Sequence, residues 1–204
     1  MDNLALHRIR RDIQVVKNDK LNELGIHIQK INDFSIRALI IGPQDTPYED
    51  GFYFFEIEFN DTYPFKPPRV LFKSNMDKIR FHPNLYVNGK VCISILNTWS
   101  GPQWTSCQSL KSILLSLQSI FDDNPLKNEP GYEKSSIYHQ IYCCIIRYEN
   151  IRGCIHELLK TTPKGFEGFI PIIYSHFKDR FYNIKNNLGK LQELENFKSI
   201  MKCS

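Results

Sequence analysis

Apolar residues recur along this chain in two rhythms, and each change of rhythm marks a change of element. Near the start Leu6, Ile9, Ile13 and Val16 return at steps of three and four, which puts them on one stripe of a helix over residues 4–17 and turns that stripe toward a core. Asp2 or Asn3 is placed to cap it, since a short polar side chain there accepts from the free N–H groups of the first turn. The opposite face carries His7, Arg8 and Arg11, which periodicity alone reads as a solvated charged face.

The rhythm then drops to two. Leu24, Ile26 and Ile28, then Ile36, Ala38 and Ile40, then Phe55, Ile57 and Phe59, and finally Val70 and Phe72 alternate with smaller or polar residues. Gly42-Pro43, Asp50-Gly51 and the prolines of residues 64–68 separate them, as turn-formers separate strands. This predicts a four-stranded antiparallel meander with one wet face. Helical spacing returns at Leu110, Ile113, Leu114, Leu117, Ile120 and Phe121, with Ser109 as N-cap and a stop before Asn124-Pro125. A second series, Ile137, Ile141, Cys144, Ile145, Tyr148, Ile151, Ile155 and Leu159, runs on to a break at Pro163-Lys164-Gly165. A last helix follows through Ile173, Phe177, Phe181, Ile184 and Leu188, then a short polar tail from Lys190. The fold class is therefore α+β: a four-stranded antiparallel sheet backed by helices, with an extended helical C-terminus. Residues 1–160 form the core domain, and residues 161–204 are expected to pack on it, because a free helix with that apolar stripe would expose a sticky patch.

Composition narrows the class. With 204 residues, 42% of them hydrophobic, the chain can bury a full core. A net charge of +4 spread over 26 basic and 22 acidic residues, with no basic run interleaved with aromatics, gives no reason to expect a nucleic-acid partner. The six cysteines, at 92, 107, 143, 144, 154 and 203, contain no C-x-x-C pair, so neither a zinc site nor a dithiol motif is called for, and no cofactor is expected. A reduced, cytoplasmic location is the expectation, with the nucleus second. No apolar run approaches a membrane span and no secretory leader is evident at the start.

The candidate chemistry lies in residues 81–104, FHPNLYVNGKVCISILNTWSGPQW. A turn-forming His82-Pro83-Asn84 is followed by Asn88-Gly89 and then by Cys92, where the loop meets an apolar run. A thiol with a polar partner close by is a candidate nucleophile. On residue type alone, Cys92 between Val91 and Ile93 reads equally as ordinary core.

The segment HPNLYVNGKVCISIL resembles the active-site signature of the ubiquitin-conjugating enzymes, as Tyr63-Pro64-Phe65-Lys66-Pro67-Pro68 resembles that family's Tyr-Pro-x-x-Pro-Pro turn and residues 42–51 its entry to the third strand. The likeness runs over about residues 5–155. It implies a cysteine thioester relay: Cys92 takes ubiquitin or a ubiquitin-like modifier from an activating enzyme and passes it to a substrate lysine, usually with a ubiquitin ligase. By the same resemblance Asn84 is the side chain suited to the oxyanion, Glu129 the acidic gate residue, and His82 with Pro83 shapes the loop. His7, Arg8 and Arg11 would dock the activating enzyme, while Phe65, Trp104, Ser106 and Cys107 would form the ligase-binding surface. The resemblance further implies a cis Tyr63-Pro64 bond.

The chain departs from the common pattern in places. Ser94 stands where many members carry Asp, residues 98–102 are inserted before Trp104, and Ser106-Cys107 replaces a common Pro-Ala. The insertion, together with Asn124-Pro125 and residues 128–133 and 147–152, resembles one subgroup of the family. Two other readings stay open: a non-catalytic ubiquitin-binding variant of the same fold, against which retention of Cys92 counts, and a scaffold that recruits partners through its C-terminal helices.

Overall fold

The computed structural model describes residues 4–74, 79–127, 129 and 137–201, of which 192–201 are described in the backbone alone. The capping candidates Asp2 and Asn3, residues 128 and 130–133 of the subgroup pattern, and Cys203 therefore lie outside the described residues. Helix α1 (Leu4–Asn18) buries Ala5, Ile9, Asp12, Ile13 and Val16. The buried stripe is thus the expected one with Leu6 left half-exposed and a carboxylate set into it.

Strands β1 (Ile26–Asn32), β2 (Ser35–Ile41), β3 (Phe52–Glu58) and β4 (Arg69–Phe72) pair in that order, each antiparallel to the next. Leu24 falls instead in a 3-10 turn that Gly25 closes at φ 78°. One face of the sheet, with Ile36, Ala38, Ile40, Phe55, Ile57, Val70 and Phe72, is buried in the same core as α2 (Leu110–Ser119). Ser109 caps α2, its hydroxyl and that of Ser112 accepting each other's backbone N–H groups, which satisfies two donors the first turn leaves free. Tyr53 stacks on Phe121 at 4.3 Å between ring centroids, joining the sheet to the turn after α2. The Tyr63-Pro64 peptide is cis.

The expected wet face is wet along β1 and at the far ends of β3 and β4, where Glu58 pairs with an exposed Arg69, but it is covered in the middle. Leu39, Phe52 and Phe54, on the other side of the sheet, are also fully buried, because the chain after Lys160 comes back over them. Phe166 and Phe169 lie 4.8 and 6.2 Å from the Phe54 ring. The Arg37 guanidinium sits 5.1 Å over Phe166 and donates to the Gly165 carbonyl.

Helix α3 (Ile137–Glu149) corrects the periodic reading of its own sequence. It buries His139, Cys143 and Ile146 and leaves Ile137, Ile141, Ile145 and Tyr148 exposed. It then widens into a π-helix over Asn150–Glu157, which buries Cys154 and Ile155, before the single turn α4 (Leu158–Lys160). A pattern counted at 3.6 residues per turn loses phase across such a segment. Asn150 opens it, accepting from the Tyr53 hydroxyl at 2.6 Å and donating to the Glu49 carbonyl at 2.8 Å. A Cβ on Gly51 would lie 1.8 Å from the Asn150 carboxamide oxygen, so only glycine fits there. Helix α5 (Ile170–Met201) overruns its expected end near Leu188: the tail from Lys190 holds no proline or glycine and is rich in Lys, Leu and Glu, good helix formers. The helix is pinned at Asp50, which takes His176 at 2.9 Å and Arg180 at 3.0 Å, and at Glu49, which takes Arg180 and Asn183, each at 2.8 Å.

Candidate active site

Residues 84–92 fold as a small ladder beside β4. Leu85 pairs with Val91, and Lys90 with Leu71. The Cys92 N–H donates to the Asn84 carbonyl at 2.8 Å, and the Asn84 carboxamide donates to the Cys92 carbonyl. Both polar groups of the Cys92 backbone are thus held by one residue, the asparagine eight positions earlier. Thr98 holds the neighbouring positions: its hydroxyl accepts from the Ile93 N–H at 3.1 Å and can donate to Val91 O at 2.9 Å or Ile93 O at 3.1 Å. Cys92 is 2% exposed.

His82 faces the loop and not a proton-transfer partner. Its Nδ1 accepts from the Asn84 N–H at 3.0 Å, which leaves any proton of the neutral ring on Nε2. Burial, with smaller contributions from Lys127 and Arg80, lowers its pKa to about 3. The ring is therefore neutral at ordinary pH and its acceptor is already committed, so its role is to shape the turn with the buried Pro83, whose carbonyl Arg80 binds.

After Cys92 the chain makes a short 3-10 turn, Ser94–Leu96, closed by Asn97 at φ 57°. The Asn97 carboxamide accepts from the Trp104 N–H at 2.8 Å, and the Trp104 indole donates to Pro64 O at 2.6 Å. Residues 98–102 therefore leave and return between two fixed points. Gly101, at φ 125°, is packed so closely that a Cβ would lie 3.1 Å from the Ser94 Cβ. The inserted loop thus lies directly on Ser94, a reason for a small side chain at that position. Trp99 and Ser100 of this loop, Asn84 and Ser94, and Ser116 and Ser119 of α2 line a cleft of about 510 Å³ that contains no charged residue.

The remaining candidates fall into three groups. His7 and Arg11 are exposed on α1. Arg8 is spent within the fold: it donates to Asp12 at 2.9 Å, to Ser106 O at 3.1 Å and to Gln108 O at 2.6 Å. Phe65 is 76% exposed beside the buried Trp104, and Ser106 and Cys107 are exposed on the loop that Arg8 ties down. Glu129 is half-buried and close enough to Tyr142 to push that phenol's pKa up as a minor contributor after burial; among the described residues no hydrogen bond or ion pair joins it to Cys92 or Asn84. Two residues escaped the sequence reading. Asp12 accepts from Arg8, the Tyr63 hydroxyl and, at 3.1 Å, the Leu110 N–H, and its one signal was a carboxylate on a buried stripe. Thr98 gave no signal beyond belonging to an insertion.

A family model described as ubiquitin-conjugating enzyme matches residues 8–143. "Ubiquitin-conjugating enzyme E2 Z" of Xenopus tropicalis is 36% identical over 217 residues, covering 98% of this chain and 69% of its own length. The human protein of that name is 38% identical over 190 residues, covering 88% of this chain. The chain spans 52% of the length of that human relative. The solved structure of human ubiquitin-conjugating enzyme E2 G1 is similar with a TM-score of 0.50 at 30% identity, over 59% of this chain and 97% of that one. A family match over more than half of the chain, carried by a four-stranded meander and the loop that holds Cys92, means that this chain belongs to the ubiquitin-conjugating enzymes.

Proposed function

We propose that the chain accepts ubiquitin or a ubiquitin-like modifier from an activating enzyme as a thioester on Cys92 and passes it to a substrate lysine, usually with a ligase. The observation that carries this reading is the double anchoring of the Cys92 backbone by Asn84, with Thr98 fixing the residues on either side. Cys143, Cys144 and Cys154 lie within helices, and Cys107 is exposed on a turn; Cys92 is the cysteine held by an asparagine at both of its backbone groups.

In the first step the Cys92 thiolate attacks the thioester carbonyl on the activating enzyme; a C–S bond forms, the old one breaks, and the departing thiolate takes up the proton Cys92 lost. Exchange between thioesters is nearly isoenergetic and needs no dedicated base, which fits a His82 that is neutral and turned to the loop. In the second step a neutral lysine amine attacks the same carbonyl, the C–N bond forms, the amine loses a proton and Cys92 departs. The uncharged cleft between Trp99 and α2 offers room for the modifier's C-terminal strand.

The test is a charging assay. Cys92 should give a reductant-sensitive adduct with ubiquitin and an activating enzyme, and Cys92→Ser should convert it to a reductant-resistant oxyester. A reductant-sensitive adduct that persists in Cys92→Ser would refute the assignment.

A further inference from the structure

Helix α5 and the core enclose a second cavity, of about 410 Å³, within the size range of small-ligand sites. None of its lining residues belongs to residues 81–104, so it is separate from Cys92. Its apolar part is built from Ile151 and Ile155 of the π-helix and from Ile184 and Leu191 of α5, with Ile155 and Ile184 buried at the bottom. Widened helical turns of this kind occur frequently at functional sites.

The charges around that apolar part are unequally matched. Glu49 already takes Arg180 and Asn183, and Asp50 takes His176 and Arg180. Arg147 and Lys190 also line the cavity, are exposed, and form no ion pair among the described residues. Asp45 is the one lining carboxylate in the same condition, so two unmatched cations stand against one unmatched anion. The Asn187 carboxamide lines the cavity too and makes no hydrogen bond among the described residues, which leaves a donor and an acceptor open.

We propose that this cavity holds the C-terminus of a partner polypeptide that ends in an aliphatic residue. The terminal carboxylate sits with Arg147 and Lys190, the last side chain lies on the three isoleucines and Leu191, and the last peptide group pairs with Asn187. One terminal residue carries all three of these groups, and capture of a terminal carboxylate is a recurring mode of peptide recognition. A phosphate would leave the isoleucines wet, a fatty acid has no amide for Asn187, and a peptide's amino end has the wrong charge for the two cations. Because the walls come from both α5 and the core, binding also fastens the helix that Asp50 and Glu49 already pin.

The test uses the whole chain, with its isoleucine methyl groups labelled with carbon-13, titrated by NMR with an octapeptide ending in leucine. The methyl groups of Ile151, Ile155 and Ile184 should shift together and saturably. The same peptide amidated at its C-terminus should bind about tenfold to a hundredfold more weakly, the range that a hydrogen-bonded charge supplies. Ending the peptide in glycine should weaken it by at least about tenfold, since a leucine side chain then no longer leaves water. Arg147→Glu and Lys190→Glu should each weaken the free acid by about tenfold but not the amide, a split that a merely structural role would not give. Both side chains are exposed and unpaired, so the unfolding temperature should stay at the parent value. Hydrogen exchange over residues 184–191 should slow on saturation. Equal binding of acid and amide, or shifts that spare these three isoleucines, would overturn the proposal. So would tighter binding of octanoate than of the leucine peptide, which would assign the cavity to a fatty acid. Loading of Cys92 takes no part in these measurements, so a failure of the thioester reading leaves them untouched.

Discussion

Asn84 and Thr98 between them hold the three residues centred on Cys92, and they do so with different atoms. In the resting structure one N–H of the Asn84 amide is occupied by Cys92 O, so an oxyanion in the second step would have only the second N–H of that amide to draw on while the first holds the loop. Pinning should therefore dominate: Asn84→Ala is expected to slow loading and discharge together and to lower stability. A loss confined to discharge, of about 10² to 10³, would show that the amide serves the oxyanion and that its hold on Cys92 O is secondary. Thr98→Val strips the partner from the Ile93 N–H and is expected to cost about 1 to 3 kcal/mol and to slow both steps, with Thr98→Ser close to the parent. Thermal unfolding and the two single-turnover rates check this, and a Thr98→Val that matched Thr98→Ser in all three would contradict it. At this scale the motif made Cys92, Asn84 and His82 legible, because the residue types and their spacing are themselves the signal. Thr98 was not legible, since a hydroxyl that bonds backbone five and seven residues away leaves no side-chain pattern to read.

Helix α1 illustrates what periodicity reports about an element and what it misses. Counting at 3.6 residues per turn located the stripe of Ile9, Ile13 and Val16, yet it could not place Asp12 within it or anticipate that Arg8 would reach from the helix to the 106–108 loop. Arg8 and Arg11, alike by charge and face, should consequently behave differently. Arg11→Glu should leave the unfolding temperature unchanged and slow charging by an activating enzyme at low salt. Arg8→Glu should cost about 1 to 3 kcal/mol, since it strips a charged donor from the buried Asp12 carboxylate while Tyr63 and Leu110 remain as its partners, and should disturb the loop bearing Ser106 and Cys107. Equal effects of the two on stability would contradict the division. The same counting failed on α3, where the face bearing Ile141, Ile145 and Tyr148 is the exposed one and a π-helix follows; no pattern based on a single period contains that information.

Across the whole molecule, the strands and their order were legible from alternation, but the burial of both faces of the sheet was not. Phe52 and Phe54 alternate with Tyr53 and Phe55, so every position from 52 to 55 is aromatic, and only the returning chain shows that both sets are covered. Phe166 and Phe169 provide that cover on the outer face, with Arg37 laid over Phe166. Phe166→Ala and Phe169→Ala should each cost about 3 to 5 kcal/mol, the usual loss for a buried aromatic. Loading of Cys92 should survive wherever the protein remains folded, since these residues touch the far side of the sheet. Urea unfolding read beside loading checks it, and a change below about 0.5 kcal/mol for either variant would mean that the returning segment does not stabilise the sheet.

The central claim is that one cysteine among six carries the modifier. It is tested most directly by loading the chain with ubiquitin, alkylating every thiol left free under denaturing conditions, releasing the modifier with hydroxylamine, and mapping by mass spectrometry the cysteine that then becomes free. The account predicts Cys92 alone. Recovery of the free thiol at Cys107 or any other cysteine, with Cys92 already alkylated, would contradict it.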